Sequence, residues 1–260
     1  MRTLVAIHVF YPQFLDELAA CIGNIDGPRD VIATYVDDAV ADEIRVRIPE
    51  ARLLRCENCG YDVWPFLKVV QELDLTAYDC IVKLHTKRDV VDDFKYEFNH
   101  TVFNGSAWRD YLLSFVRTPQ SWRRTMARLL ASDVGMVADR HVILRRRDVP
   151  IERTHETFDR AAELLGLPIE EIRHTGQYVA GTMFAVKPAA LRPLLKRTFR
   201  ADDFELPQGH FTETFAHVME RAFGLSVTAA GLRLVATSGS VSLRRLYAPL
   251  CWFLLRGGRG

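Results

Sequence analysis

The sequence predicts an α/β fold of the Rossmann type: a mostly parallel sheet flanked by helices in a single domain. Three observations predict it. Apolar, β-branched runs alternate with amphipathic stretches up to His85, and that alternation needs crossover connections between parallel strands. The chain has 260 residues, 48% of them hydrophobic and 26% charged, so it can bury one large core. No repeat, low-complexity segment or linker divides it.

The elements follow from the local pattern. Residues 3–9 read as a first strand and 14–22 as a helix. A second strand covers 30–35, the Asp37-Asp38 turn follows, and 40–48 read as a helix. Residues 51–55 form a short strand, 63–73 a helix, and 78–85 the next strand. Beyond it, 107–116 and 119–131 carry apolar positions at the 3.6-residue period of helices, and 134–137 read as a strand. A helix over 154–164 ends near Gly166 and Pro168. Residues 178–186 read as one strand containing Gly181, while 189–196 and 212–223 read as helices and 225–229 and 233–236 as late strands.

Composition excludes several classes. A net charge of +1 gives no global case for nucleic acid. The five cysteines, Cys21, Cys56, Cys59, Cys80 and Cys251, are an odd, scattered set, which argues for a reducing compartment and against a disulfide framework. Cys56 and Cys59 form C-x-x-C, but a structural zinc site needs about four ligands and there is no second pair; a thiol redox site is the weaker alternative. The apolar run at the N-terminus is too short for a signal peptide, no stretch reaches the ~20 apolar residues of a span, and the expectation is a cytoplasmic protein. Residues 1–242 form the expected domain. The tail 243–260 mixes arginines with large apolar groups, and fits either a peripheral contact with an anionic membrane surface or a helix packed on the core.

Polar residues gather where an open α/β sheet binds ligands, at the carboxyl ends of its strands. Lys83 and His85 share one face of the strand 78–85 with Lys87 beyond them. Such a row is either a solvated edge or an anion site, since buried cations need a partner. His8 ends strand one, where a satisfied core histidine is the plainer reading. Asn58, Gly60 and Asp62 lie between a strand and a helix; Asp62 either caps that helix or, with Asn58, holds a sugar or base hydroxyl, while Gly60 permits close backbone approach. Gly181, Thr182 and Met183 mark either a ligand-packed backbone or a buried strand with a bulge. Glu213, His217 and Glu220 recur on one helix face, either as a solvated face or as a source of a general base.

Five motifs together resemble the rhamnan synthesis protein F family across nearly the whole chain. They are Phe10-Tyr11-Pro12, Asn58-x-Gly60-x-Asp62-Val63, Lys83-Leu84-His85-Thr86-Lys87, Ala180-Gly181-Thr182-Met183-Phe184 and His217-x-x-Glu220-Arg221. The Lys-Leu-His-Thr-Lys and Gly-Thr-Met-Phe segments are the specific ones. The resemblance implies a glycosyltransferase of bacterial cell-surface polysaccharide assembly, with a nucleotide-sugar-binding fold of GT-A type. The implied reaction moves a sugar, such as rhamnose or another deoxyhexose, from a nucleotide-diphosphate donor to a growing glycan, lipid-linked at the inner face of the cytoplasmic membrane.

The sequence departs from GT-A enzymes in having no Asp-x-Asp; Lys83-Leu84-His85 stands in its place. The expectation is therefore metal-independent, inverting transfer, with Lys83, Lys87 and a protonated His85 neutralising the leaving diphosphate; His8, Asn58 and Gly60 complete the donor site. A bound Mg or Mn ion is the alternative. Glu213 or Asp62 is the expected base, with Glu220 third, and Gly181, Thr182, Met183 and His217 form the acceptor or sugar pocket. The competing class is a non-catalytic glycan- or partner-binding module of the same fold, which nucleotide binding would separate from the enzyme.

Overall fold

A computed structural model describes residues 1–89, 96–98, 101–103, 106–148, 152–206 and 214–237. Its first half alternates as the pattern dictates: β1 (Thr3–Val9), α1 (Leu15–Gly23), β2 (Arg29–Tyr35), α2 (Asp38–Arg47), β3 (Arg52–Arg55), α3 (Val63–Glu72) and β4 (Cys80–His85). A small hairpin of β5 (Tyr96–Phe98) and β6 (Thr101–Phe103) follows. Next come α4 (Ala107–Leu113), α5 (Pro119–Leu129), β7 (Val134–Ala138), β8 (Ile143–Arg145), α6 (Glu152–Leu165) and α7 (Ile169–Thr175). The described chain closes with β9 (Gln177–Val179), β10 (Phe184–Val186), α8 (Pro188–Leu191), α9 (Phe215–Ala229) and β11 (Arg233–Ala236). The tail 243–260, Cys251 and Glu213 lie outside the described residues.

Seven strands form one sheet in the order β3-β2-β1-β4-β10-β7-β11. All neighbours are parallel except β10, which runs antiparallel to both β4 and β7. The chain steps outward from β1 to β2 and β3, then returns to place β4 on the other side of β1. The switch point of this doubly wound sheet therefore lies between β1 and β4, and a crevice opens outside their carboxyl ends. Every residue of β1 and of β4 is buried, the pattern of strands covered on both faces. On one face, Phe66 of α3, Phe184 of β10 and Phe223 of α9 meet edge to face, with ring centroids 5.4–6.0 Å apart, a geometry worth about 0.5–1.5 kcal/mol per pair beyond area burial. This aromatic layer packs α3 and α9 onto the sheet beside Lys83.

The structure departs from the expected elements in three places. Residues 178–186 are two strands: β9 pairs with β8 in a separate hairpin, and β10 joins the main sheet. Gly181 (φ 76°) and Thr182 (φ 52°) break the run with a left-handed turn, closed by Thr182 N–H donating to Val179 O at 3.1 Å. Residues 225–229 are the end of α9, not a strand. An apolar helix buried around most of its circumference gives no two-residue or one-sided signal to identify it. Residues 189–196 form only the single turn of α8 and a later 3-10 turn, because Pro193 interrupts them. No helix among the described residues is long and apolar enough to cross a membrane.

Close contact between α9 and β9 depends on Gly224. A Cβ there would stand 2.2 Å from Gln177 O and 2.7 Å from Tyr178 Cα, and neither backbone atom can yield alone. Gly224→Ala is expected to lower the unfolding free energy by about 1–3 kcal/mol or more, as is typical of core overpacking, read as a lower midpoint in equilibrium urea denaturation; an unchanged midpoint would mean that the helix shifts freely.

Candidate functional site

Lys83 is 1% exposed and His85 is also buried, so the end of β4 is not a solvated edge. Strand register sets their company. His8 stands beside His85 across the parallel pair, and Phe184 beside Lys83 across the antiparallel one. Because β10 runs against β4, the residues just before it lie at β4's carboxyl end. The Lys83 ammonium accordingly donates to Thr182 Oγ1 at 2.7 Å and forms a short pair with Asp62 Oδ2. The Thr182 hydroxyl donates to the same carboxylate oxygen, and the ammonium stands over the Phe66 ring, 5.5 Å from its centroid. Asp62 precedes α3 but makes no capping bond: its carboxylate serves the lysine rather than the helix. Gly60 and Tyr61 make that possible with positive φ values of 61° and 54°. A Cβ at Gly60 would meet the Phe204 ring at 2.7 Å.

Burial raises the Asp62 carboxyl's pKa, but His85, Lys83 and the two hydrogen bonds outweigh it and hold the group well below the usual carboxylate range. Burial pulls Lys83 down and Asp62 opposes it. The outcome is a charged pair, the arrangement that makes a buried ammonium tolerable. His85 lies with Nε2 2.9 Å from Gly181 O, Nδ1 3.2 Å from Thr86 O, and Nε2 3.8 Å from Asp62 Oδ1. A neutral ring donates once, and the closer contact assigns the proton to Nε2. Burial holds His85 below its ordinary value against the pull of Asp62. The expected imidazolium on a diphosphate thus gives way to a neutral ring tying β4 to the Gly181 turn.

His8 is also neutral, pushed down to about 4 chiefly by burial. Thr34 donates its hydroxyl to Ile7 O, so it accepts from His8 Nδ1–H at 3.0 Å, leaving Nε2 as an acceptor. Thr86, to which the sequence reading gave no role, accepts from both Phe10 N–H and Tyr11 N–H at 2.9 Å. It fixes the loop after β1 over the crevice, and its position between His85 and Lys87 is the signal that could have found it.

The second wall comes from α9. Glu220 Oε1 accepts from Gly181 N–H at 2.7 Å, and Oε2 is paired with Arg221. Arg221 is buried, donates to His217 O at 3.2 Å, and lies 4.4 Å from the centre of the Tyr178 ring. Glu220, Arg221 and Tyr178 therefore clamp the left-handed turn; the latter two were missed because a buried arginine reads in sequence as surface charge. Gly181 itself is confined, since a Cβ would meet Leu112 Cδ2 at 2.7 Å.

The remaining predicted residues divide. Lys87 is half-buried beyond β4, with its carbonyl accepting from Arg109 at 3.3 Å and no hydrogen-bond or ion-pair partner for its ammonium among the described residues. His217 is part-buried in the first turn of α9, with Nδ1 2.7 Å from Thr214 Oγ1 and its ring edge-on to Tyr61 at 6.0 Å. Asn58 is exposed on the loop before Gly60. Met183 is fully buried in the core and does not face the crevice. Asp62 is engaged through Oδ2, with Lys83 and Thr182, and Glu220 through both oxygens, with Gly181 N–H and Arg221. Glu213 lies outside the described residues. Among the described residues no three His, Cys, Asp or Glu side chains gather as a metal set, and the Asp62 carboxylate at β4's end is held by Lys83. The Cys56 and Cys59 thiols are buried and directed at Tyr35 O and Ala201 O. Burial pushes Cys56 up to about 12 and Cys59 upward, the reverse of a reactive pair.

A doubly wound sheet with polar side chains gathered at its switch point defines the chain as an open α/β protein. The family profile for rhamnan synthesis protein F matches residues 1–232, and the chain belongs to that family. Two curated relatives, each called uncharacterized protein WxcX and each from a strain of Xanthomonas campestris pv. campestris, are 28% identical over 246 residues. The match covers 93% of this chain and 33% of each relative, so the chain spans about a third of the length of the curated relatives it matches. Among solved structures, CMP:2-keto-3-deoxy-manno-octonic acid synthetase complexed with CTP aligns with 97% of this chain and 100% of its own, at 11% identity and a TM-score of 0.45. A likeness at that level carries no functional argument.

Asp62→Asn leaves Lys83 buried without its counter-charge and is expected to cost about 3–5 kcal/mol at pH 7. Asp62 has its folded-state pKa below its ordinary 3.8, so its stabilisation is full above about pH 4 and is lost as the pH falls further. Urea unfolding of the two proteins should therefore converge on acidification; a gap independent of pH would remove the charge from the explanation.

Proposed function

We propose that this domain is a glycosyltransferase of GT-A-like architecture that moves a sugar from a nucleotide-diphosphate donor to a growing cell-surface polysaccharide. A deoxyhexose of the rhamnose type is the sugar that the family name suits. The observation that carries the reading is the locked Lys83-Asp62-Thr182 cluster at the switch point, with the Lys87 ammonium, unpaired among the described residues, at its rim, in a chain of a family described by rhamnan synthesis.

Lys83 and His85 build the floor, while Lys87 is the cation left to meet a diphosphate. A flexible ammonium acts there as a point charge on the leaving group. The backbone around Gly181 would stand against the sugar. Transfer would be metal-independent, with Lys83-Leu84-His85 standing where GT-A enzymes carry Asp-x-Asp and no metal set among the described residues, and a single displacement would invert the anomeric centre. A lipid-linked or polysaccharide acceptor, approached at the inner face of the cytoplasmic membrane, belongs to the same reading. The second reading, a binding module without chemistry, is favoured by the engagement of both described carboxylates.

Nucleoside diphosphates should raise the melting temperature of the wild type, by about 2.7 kcal/mol of stability at 100 times the dissociation constant. Lys87→Ala should weaken that binding at least tenfold without altering the unliganded melt. Release of nucleoside diphosphate from a panel of nucleotide sugars, with and without EDTA, separates the readings. Binding without turnover favours the module, no binding refutes both nucleotide roles, and EDTA-sensitive turnover refutes the metal-free mechanism.

A further inference from the structure

The proposed transfer needs a group to take the acceptor hydroxyl's proton, and the described carboxylates of the crevice are committed elsewhere. Asp62 neutralises Lys83, and Glu220 holds Gly181 N–H and Arg221. His217 is different. It sits one turn before Glu220 on α9, against the Tyr61 ring beside Asp62, and its Nε2 has no partner among the described residues.

We infer that His217 is the general base of this site, with Nε2 accepting the proton from the incoming hydroxyl. This rests on the transferase reading above. Thr214 Oγ1 at 2.7 Å fixes the ring through Nδ1. With Nδ1–H donating to that hydroxyl oxygen, the Nε2 lone pair is free, and Tyr61 limits how far the ring can turn. The acceptor oxygen forms its bond to the anomeric carbon as its proton passes to Nε2. The bond from that carbon to the diphosphate oxygen breaks, and its electron pair leaves with the nucleoside diphosphate. Atoms and charge balance without a further reactant.

The surroundings set the protonation state. Burial lowers the pKa of His217 below its ordinary 6.5; Glu220, Asp62 and Glu205 oppose that and Arg221 reinforces it. Thr214 and Tyr61 complete the faces described. The ring is therefore the free base at neutral pH and is disabled by acid, which suits a base.

The test uses the full chain with a nucleotide-diphosphate rhamnose as donor and an alkyl rhamnoside as acceptor, followed from pH 5 to 9. The wild type should show an acid limb with a midpoint below 6.5. His217→Gln should reduce kcat at least about 100-fold, the lower range for a general base, and leave a residual rate without that limb. His217→Asn serves as a second variant. Unchanged nucleoside diphosphate affinity and melting temperature would show that both variants are folded. Variants that keep the rate and the limb overturn the inference while transfer stands, as does loss of the limb in Glu213→Gln alone. Absence of any wild-type turnover removes the transferase reading and this inference with it.

Discussion

A buried ammonium must be neutralised, and the requirement at Lys83 organises the rest of the crevice. The cost of dehydrating that charge is met by one carboxylate and one hydroxyl, and each comes from a backbone segment in an uncommon conformation. Asp62 reaches Lys83 because Gly60 and Tyr61 turn left-handed before α3; Thr182 reaches it because Gly181 and Thr182 do the same before β10. At the two non-glycine residues, Tyr61 and Thr182, such a conformation costs about 1–3 kcal/mol each and persists only where surrounding contacts over-determine it. Here those contacts are Glu220 on Gly181 N–H, Arg221 on Glu220, and the Phe204 ring against Gly60.

The same cluster changes the meaning of the basic strand end. Three cations along one row would be mutually repulsive without a ligand. With Lys83 paired and His85 neutral, Lys87 is the cation of this row without a partner among the described residues, and the cluster beside it is already held by its own hydrogen bonds. That division between a preorganised base and a single adaptable charge is a workable way to receive a diphosphate, because the fixed part does not have to reorganise when the ligand arrives.

The fold was largely legible because β1, α1, β2, α2, β3, α3 and β4 each follow from local period and flanking turns. Much of the candidate site was legible too: Asp62, Lys83, His85, Gly181, Thr182 and Glu220 do meet. What could not be read was who pairs with whom. Asp62 is equally apt in sequence as a helix cap, a base or a counter-ion, and only the reversal of β10, invisible in a run such as Tyr178-Val179-Ala180-Gly181, brings Thr182 to Lys83. Arg221 illustrates the same limit, since nothing local says that its charge is buried against Tyr178. The end of α9 misled for a related reason: an all-round apolar helix and a buried strand have similar composition.

The antiparallel strand has one more effect, on the chain while it is being made. Lys83 and Thr182 are 99 residues apart in sequence, and Asp62 and Thr182 are 120 apart. Until β10 is synthesised and docks, β4 is the border of a four-stranded half-sheet and offers its open backbone to any neighbouring chain. A charged side chain pointing inward from such a border discourages illicit pairing. Lys83 is such a side chain in the four-stranded half, until the strand arrives that brings Thr182 onto its ammonium.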